Sequence, residues 1–206
     1  MTTERVNAFS DGVFAIAITL LVLDIKTPSP LKIASDAELA GAILALWPRY
    51  AAYIQSFLVI GVYWVAHHAL LTYVRRVDRS FLWLNNVFLL CVAFIPFPAS
   101  LLGTFTAYRA ASLTYGTTLV VTGVTLYILW RYASRNNRLL SPDFPVGRRR
   151  AITKRILTAP LLYIVAMLAS FVEPVLCIAL YALVPLGYLL PWYGDAAPKT
   201  SQEGLT

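Results

Sequence analysis

Charge is scarce in this 206-residue chain, because Asp, Glu, Lys and Arg together make up only 13% of it. A soluble globular domain carries about 25% charged residues, so this deficit excludes an ordinary soluble domain. Apolar residues instead make up 59% of the chain, and its mean hydropathy is +0.68. The composition therefore predicts a protein that is surrounded mainly by lipid.

Residues that commonly carry chemistry are also few. The two cysteines, Cys91 and Cys177, lie in separate apolar segments, where a thiol behaves as a small hydrophobic side chain. Their positions predict neither a disulfide framework nor a Cys/His zinc site. The sequence also lacks GxSxG and HExxH motifs and a phosphate-binding glycine loop. We therefore predict that the chain is not an enzyme and holds no cofactor or metal.

Long apolar runs dominate the chain instead. A run of about 20 apolar residues spans a bilayer when it forms a helix. Charged residues and prolines bound six such runs, at residues 5–26, 49–74, 80–102, 110–131, 152–172 and 175–193. The sequence predicts an all-α membrane protein in which residues 1–195 form one domain of six transmembrane helices. Residues 196–206 are predicted to form a flexible cytoplasmic tail.

The distribution of basic residues predicts the orientation of these helices. With the amino terminus inside, thirteen of the 17 Lys and Arg residues lie on the inner side, and only Lys26, Lys32, Arg49 and Arg109 lie outside. Cytoplasmic loops are enriched in Lys and Arg, so both termini are predicted to be cytoplasmic and the protein to lie in the cell membrane. The net charge of +7 is thus explained by basic residues that orient the helices in the membrane, and no nucleic-acid partner is predicted.

A shorter segment precedes the second run. In "SDAELAGAILALWPRY", Ser35 and Asp36 are N-cap candidates, and Leu39, Ile43 and Leu44 follow at helical spacing. This pattern predicts a short amphipathic helix at the outer membrane surface.

The first run, "RVNAFSDGVFAIAITLLVLDIK", begins with charged and polar residues that lipid does not tolerate. On a helix, Ile16, Leu20 and Leu23 share one narrow stripe, with Thr19 on its flank. Asp11 lies five residues before Ile16, about 140° around the helix, and is therefore not on that stripe. The run thus combines an aliphatic stripe with a polar patch at its cytoplasmic end.

Two interpretations of Asp11 follow from the residues. A carboxylate in a membrane helix is costly unless it is paired, so Asp11 is either a structural tie to another helix or a ligand for a proton or ion. Partners for a tie are available at His67 and His68 in the second run and at Asn85 and Asn86 in the third. Alternatively, Asp11 and the two histidines would suit a proton-coupled or metal-ion transporter, because histidine and carboxylate serve both proton relays and divalent metals.

Arg5, Phe9, Ser10 and Asp11 form the pattern RxxxFSD at the start of the first run. Together with "YWVAHHALL" and "WLNNVFLLCVAFIPFPASLLG" in the next two runs, this pattern resembles the signature of the transmembrane protein 175 family, the endolysosomal potassium channels and their prokaryotic relatives. The first half of the chain resembles this family throughout. The second half agrees with it in span count and loop character. The single set of six runs resembles the prokaryotic members.

This resemblance implies a potassium-permeable cation channel that lacks a "TVGYG"-like selectivity loop. In the family, the first helices surround the pore and their aliphatic residues form its constriction. The corresponding residues here are Ile16, Leu20 and Leu23, with Thr19 beside them as a residue that influences selectivity. A hydrophobic gate of this kind implies modest selectivity for potassium over sodium. It also implies that the channel opens when the constriction widens or fills with water.

The resemblance also implies an assembly and a polar network. Animal members carry two six-span repeats and dimerise, so a single set implies a homotetramer in the lipid bilayer that conducts monovalent cations. The signature residues would pack the first helix against the next two through a network of Arg5, Phe9, Ser10, Asp11, His67, His68, Asn85 and Asn86. Asp24 is a candidate for concentrating cations at the outer mouth, or else a solvated carboxylate at a helix end.

Overall fold

The computed structural model describes residues 3–30 and 33–189. Within these ranges the chain forms eight α-helices. They are α1 (Thr3–Leu20), α2 (Asp36–Ala45), α3 (Trp47–Tyr73), α4 (Arg79–Phe94), α5 (Pro96–Thr104), α6 (Arg109–Ser134), α7 (Val146–Ala169) and α8 (Pro174–Leu189). The predicted tail at 196–206 and the last residues of the predicted 1–195 domain, including 190–193 of its sixth run, lie outside the described residues.

Five stretches of the described chain are long and apolar enough to cross a membrane. They match the first five predicted runs and cover Thr3–Asp24, Trp47–Tyr73, Arg79–Thr104, Arg109–Asn137 and Val146–Ala169. The apolar part of α8, Leu176–Tyr188, is shorter. It spans only about 20 Å at 1.5 Å per residue, so the sixth transmembrane helix stays a prediction.

The third stretch consists of two helices rather than one. α4 ends at Phe94 and α5 begins at Pro96, with Ile95 between them. Proline lacks an N–H group and its ring crowds the preceding turn, so a helix usually ends before it and a new one can begin with it. The Ala99 N–H donates to the Ile95 carbonyl at 3.1 Å, which keeps the two helices continuous across the kink.

The predicted short helix is present as α2. The Ser35 hydroxyl accepts a hydrogen bond from the Glu38 N–H at 3.3 Å, and the Glu38 carboxylate accepts one from the Ala34 N–H at 2.7 Å. The first bond satisfies an N–H group of the first helical turn, and the second joins the residue before the N-cap to that turn. α2 buries none of its side chains and packs on α3, so its apolar residues remain exposed.

α6 lies at the centre of the packing, in contact with α4, α5, α7 and α8. Tyr115, Leu119 and Trp130 on this helix are fully buried. Gly123 allows α7 to approach closely, because a Cβ atom at this position would overlap the ring of Pro160. Such close packing is a main source of helix association in lipid, where the hydrophobic effect does not drive helices together.

Asp78 joins the α3–α4 connection to α6 and the segment after it. Its carboxylate accepts hydrogen bonds from the Phe81 N–H at 2.8 Å, the Tyr132 hydroxyl at 2.7 Å and Arg138 Nε at 3.3 Å. Burial by itself raises the pKa of the Asp78 carboxyl, but these bonds and the Arg138 charge outweigh it and hold the pKa below its ordinary value. Arg76 adds a bond to the Arg138 carbonyl at 2.9 Å. The cluster fixes the ends of α3, α4 and α6 relative to one another.

Candidate functional site

α1 packs against α3 and α4 by one face only. The buried side chains of this face, including one in the turn that follows the helix, are Val6, Ser10, Phe14, Ala17 and Leu21. They are three or four residues apart and therefore share one side of the helix. This buried face fixes the rotation of α1 and determines which side chains it presents outward.

The predicted aliphatic stripe is exposed on α1, roughly 100° around the helix from the centre of the buried face. The exposed fractions are 61% for Ile16, 45% for Leu20 and 70% for Leu23. Thr19 is exposed as well, and its hydroxyl donates to the carbonyls of Ala15 and Ile16 at 3.0 and 2.9 Å. Because the hydroxyl proton is used within the helix, Thr19 presents mainly oxygen lone pairs to its surroundings. The structure thus places the four predicted pore residues on one exposed surface, which we call the α1 stripe.

The helical geometry changes within the α1 stripe. α1 ends at Leu20, earlier than the predicted end at residue 26, and a 3₁₀ turn covers Leu21–Asp24. Side chains three residues apart diverge by about 60° on an α-helix but eclipse each other on a 3₁₀ helix. The tighter turn therefore keeps Leu23 closely in line with Leu20.

Ser10, Asn85 and His67 form a buried polar cluster between α1, α4 and α3. Asn85 Nδ2 donates to Ser10 Oγ at 3.2 Å, and Ser10 Oγ donates to the Val6 carbonyl at 2.8 Å. Asn85 Oδ1 lies 2.7 Å from His67 Nε2, and since an amide oxygen only accepts, Nε2 carries the proton in this arrangement. The His67 ring also stacks on Phe88, with centroids 5.2 Å apart. The cluster holds the amino-terminal half of α1 against its neighbours.

Asp11 contacts a residue that the sequence did not single out as its partner. Trp64 Nε1 donates to Asp11 Oδ1 at 2.8 Å, and the Trp64 ring stacks on His68 with centroids 5.7 Å apart. Trp64 and His68 are four residues apart and share a face of α3, whereas His67 is rotated by about 100° into the buried cluster. That spacing is the sequence signal that groups Trp64 with His68. Asp11 is thus hydrogen-bonded to Trp64, and the Trp64 ring in turn stacks on the His68 ring.

Three members of the predicted network lie apart from these contacts. Arg5, Phe9 and Asn86 are exposed, and within residues 3–30 and 33–189 Arg5 and Asn86 have no side-chain hydrogen bond or ion pair. Asn7, which the sequence did not indicate, has a buried Oδ1 atom without a partner in the same ranges. The structure therefore brings together only part of the predicted network, and the roles of the exposed members stay predictions.

Carboxylates lie before and after the segment that contains the α1 stripe, although Asp11 is not on the stripe itself. Asp11 precedes it, and Asp24 follows it and accepts a hydrogen bond from the Ser100 hydroxyl of α5. Between them, residues 12–23 carry no charge and span about 18 Å at 1.5 Å per residue. Among the described residues, no group of three or more His, Cys, Asp or Glu side chains is placed to hold a metal ion.

Known proteins are similar to this chain in sequence. Residues 5–96 match the family model described as "Endosomal/lysosomal potassium channel TMEM175". A potassium channel of Chamaesiphon minutus is 41% identical over 174 residues, which cover 83% of this chain and 85% of the relative. The human endosomal/lysosomal proton channel TMEM175 is 42% identical over 101 residues, 47% of this chain and 20% of the human protein.

The fold is shared as well. The crystal structure of a lysosomal potassium-selective channel TMEM175 homolog from Chamaesiphon minutus matches with a TM-score of 0.82 and 36% identity, over 94% of this chain and 98% of that chain. These relatives are channels, which confirms the prediction that this chain is not an enzyme and places it in a membrane. The resemblance based on the RxxxFSD pattern is also confirmed. The chain belongs to the TMEM175 family.

Proposed function

We propose that this chain forms a potassium-permeable cation channel whose pore is lined by the α1 stripe. The observation that carries the proposal is the exposure of Ile16, Leu20 and Leu23 on a helix whose other face is packed against α3 and α4. Potassium as the permeant ion is supported by the bacterial relative, which is named a potassium channel, and by the solved potassium-selective homolog.

The short apolar length of the stripe favours a pore over lipid as its environment. A lipid-facing helix exposes apolar side chains over about 30 Å of hydrocarbon. The uncharged segment between Asp11 and Asp24 covers only about 18 Å, and the carboxylates at its ends would be poorly solvated against lipid. In a pore, water reaches both ends, and Asp24 would concentrate cations at the outer end.

The proposed constriction is a series of aliphatic rings. Rings of Ile16, Leu20 and Leu23 would hold the pore narrow and dry, so that opening requires widening or wetting. These side chains offer no oxygen atoms to replace the hydration shell of an ion. Selectivity for potassium over sodium should therefore be modest, with the lone pairs of Thr19 as the nearest protein oxygens.

A complete pore requires several subunits, and we propose four. One α1 helix cannot enclose a path, and closed cyclic symmetry is the usual way in which identical subunits do so. Gly12 lies on the exposed side of α1, and a Cβ atom there would meet no other atom of the subunit within 4 Å. Small residues of this kind allow helices to approach closely, as four copies of α1 around one axis would require.

We further propose a cell-membrane protein with both termini in the cytoplasm, on the basis of the uneven distribution of Lys and Arg. In this orientation the Ser10–Asn85–His67 cluster lies near the cytoplasmic end of α1. Its role would be to fix the rotation of α1 and thereby the direction of the stripe. Asp11 and Trp64 would support the same placement from the rim of the packed face.

Proton transport is the second candidate function, either as conduction or as the proton-coupled transporter considered from the sequence. It is favoured by the nearness of two titratable side chains, Asp11 and His68, which both contact Trp64. The human relative is named a proton channel. Transport of metal ions has less support, because Asp11 is bonded to Trp64 rather than to His67 or His68.

The proposal is tested with purified protein in planar bilayers, with potassium on one side and sodium on the other. We expect Leu20→Ala to raise the conductance or reduce the preference for potassium, because it shortens one aliphatic ring. Leu161→Ala is the matched control, since Leu161 is exposed on α7, which packs on α6 and α8.

Identical currents for both variants and the unmodified chain would contradict the pore assignment. A measurement of proton flux through the same protein tests the second function. Flux that is lost in Asp11→Asn and His68→Ala, in a chain that passes no potassium current, would favour proton transport instead.

A further inference from the structure

A groove of about 340 Å³ lies between α7 and α8. Its walls are largely apolar and include Leu162 and Val165 of α7 and Leu183 and Gly187 of α8. α7 and α8 run in opposite directions, so Arg155 and Thr158, early in α7, lie at the same end of the groove as Tyr188, late in α8. The groove therefore has a long apolar part and one polar end.

Gly187 keeps the groove open. A Cβ atom at this position would meet no other atom within 4 Å. Leu162, Val165 and Leu183 are exposed along the two walls, so the groove opens toward the outside of the subunit. At the depth of the hydrocarbon core, an apolar groove of this kind is filled by an acyl chain rather than by water.

Arg155 is held at the polar end of the groove. It is the last charged residue of α7, and the run 156–169 carries no charge. Its guanidinium lies 5.9 Å from the centroid of the Tyr188 ring, and the Tyr188 hydroxyl donates to the Arg155 carbonyl at 2.7 Å. A guanidinium has five N–H donors in a planar fork that matches a phosphate. Arg155 can therefore contact a phosphate while it keeps other partners.

The surrounding charge favours an anion at this end of the groove. Arg148, Arg150 and Lys154 are exposed on the first turns of α7, which makes the local potential positive. The distribution of Lys and Arg predicts that these turns face the cytoplasm, where the membrane leaflet is rich in anionic lipids. Basic pockets between transmembrane helices on this side bind anionic headgroups.

We infer that the groove between α7 and α8 binds an anionic phospholipid. The acyl chain lies along Leu162, Val165 and Leu183, and Arg155 contacts the phosphate. The inference rests on α7 and α8 and is independent of the pore proposed at α1, because the lining residues and those of the α1 stripe are different side chains on different helices.

The test compares phosphatidylglycerol with phosphatidylcholine of the same acyl chains, bound to the purified full chain in detergent and counted by native mass spectrometry. The unmodified chain should bind phosphatidylglycerol about fivefold more tightly, since one Arg near the membrane surface contributes about 1 kcal/mol. Arg155→Gln should remove this preference. Gly187→Leu should weaken binding of both lipids by filling the groove.

Arg150→Gln is the matched control, because it removes an exposed charge of α7 that does not line the groove, and it should keep the preference. Equal losses in Arg155→Gln and Arg150→Gln would overturn the inference in favour of diffuse surface attraction. Unchanged binding by a folded Gly187→Leu variant, or equal affinity of the unmodified chain for both lipids, would overturn it as well. If circular dichroism shows that Gly187→Leu is not folded, the comparison of Arg155→Gln with Arg150→Gln still tests whether the groove binds the phosphate.

Discussion

Replacing Asn85 by alanine should destabilise the subunit far more than the same change at Asn86. Asn85 is only 1% exposed and makes hydrogen bonds to Ser10 and His67. Asn86 is exposed and has no side-chain hydrogen bond within the described residues. The two adjacent asparagines therefore differ in environment and not in chemistry, which makes one the control for the other.

The magnitude of the Asn85 effect follows from its two bonds. Hydrogen bonds between membrane helices contribute about 0.6 kcal/mol each on average. Alanine also leaves the Nε2–H of His67 buried without an acceptor, which costs about 1–3 kcal/mol. These estimates overlap, and we expect Asn85→Ala to lower the free energy of unfolding by about 2 kcal/mol. An exposed position such as Asn86 usually changes it by less than about 0.5 kcal/mol.

The assay is thermal unfolding of purified protein in one detergent, followed by tryptophan fluorescence. A change of 1 kcal/mol shifts the midpoint of a chain of this length by about 2–4 °C, so Asn85→Ala should lower it by about 4–8 °C. A cycle with Asn85→Leu and His67→Phe tests the bond itself. Removing both polar partners should cost less than the sum of the single changes. Equal midpoints for Asn85→Ala and Asn86→Ala, or strict additivity in the cycle, would refute the hydrogen-bonded cluster.

Two further predictions concern the packing and the capping of the helices. Gly123→Ala should lower the free energy of unfolding by about 1–3 kcal/mol, because the added Cβ atom forces α7 away at Pro160. Gly61→Ala is the control, because a Cβ atom there meets open space, and it should leave the unfolding midpoint unchanged or higher. An unchanged midpoint for Gly123→Ala would contradict the close approach of α6 and α7. Asp78→Ala should cost about 1 kcal/mol because α4 loses its N-cap. Because the pKa of the Asp78 carboxyl is held below its usual value of about 3.9 in the folded state, its stabilisation is complete above that pH and is lost as the pH falls through the folded pKa. Unfolding midpoints measured as the pH falls from about 5 to about 2, roughly the range in which a carboxyl with a lowered pKa loses its stabilisation, should therefore fall less steeply for Asp78→Asn than for the unmodified chain. Parallel curves would contradict this.

The sequence predicts the helices well where the signal is local. Apolar runs of bilayer length bounded by charges predict five of the membrane stretches with ends that differ by at most six residues, because burial in lipid demands that composition. Ser35 predicts the start of α2, because an N-cap needs a short oxygen-bearing side chain there. The stripe of Ile16, Leu20 and Leu23 follows from helical spacing alone, and the structure leaves that stripe exposed.

Contacts between helices are harder to predict from sequence. Adjacent histidines diverge by about 100° on a helix, so the sequence cannot tell which of His67 and His68 enters the polar cluster. The bond from Trp64 to Asp11 joins residues 53 positions apart and depends on how α1 and α3 cross. The 3₁₀ turn after Leu20, in which Leu21 is buried, is not indicated by helical periodicity either.

The most direct test of the pore assignment replaces Leu20 by cysteine and measures the potassium current before and after addition of Cd²⁺. Thiolates from several subunits at one level of a pore would coordinate a thiophilic ion jointly. The unmodified chain, which contains Cys91 and Cys177, and Leu161→Cys on α7 are the controls. If the α1 stripe lines a shared pore, Cd²⁺ blocks the Leu20→Cys current and spares both controls. A Leu20→Cys current that Cd²⁺ leaves unchanged would contradict the assignment of α1 to the pore.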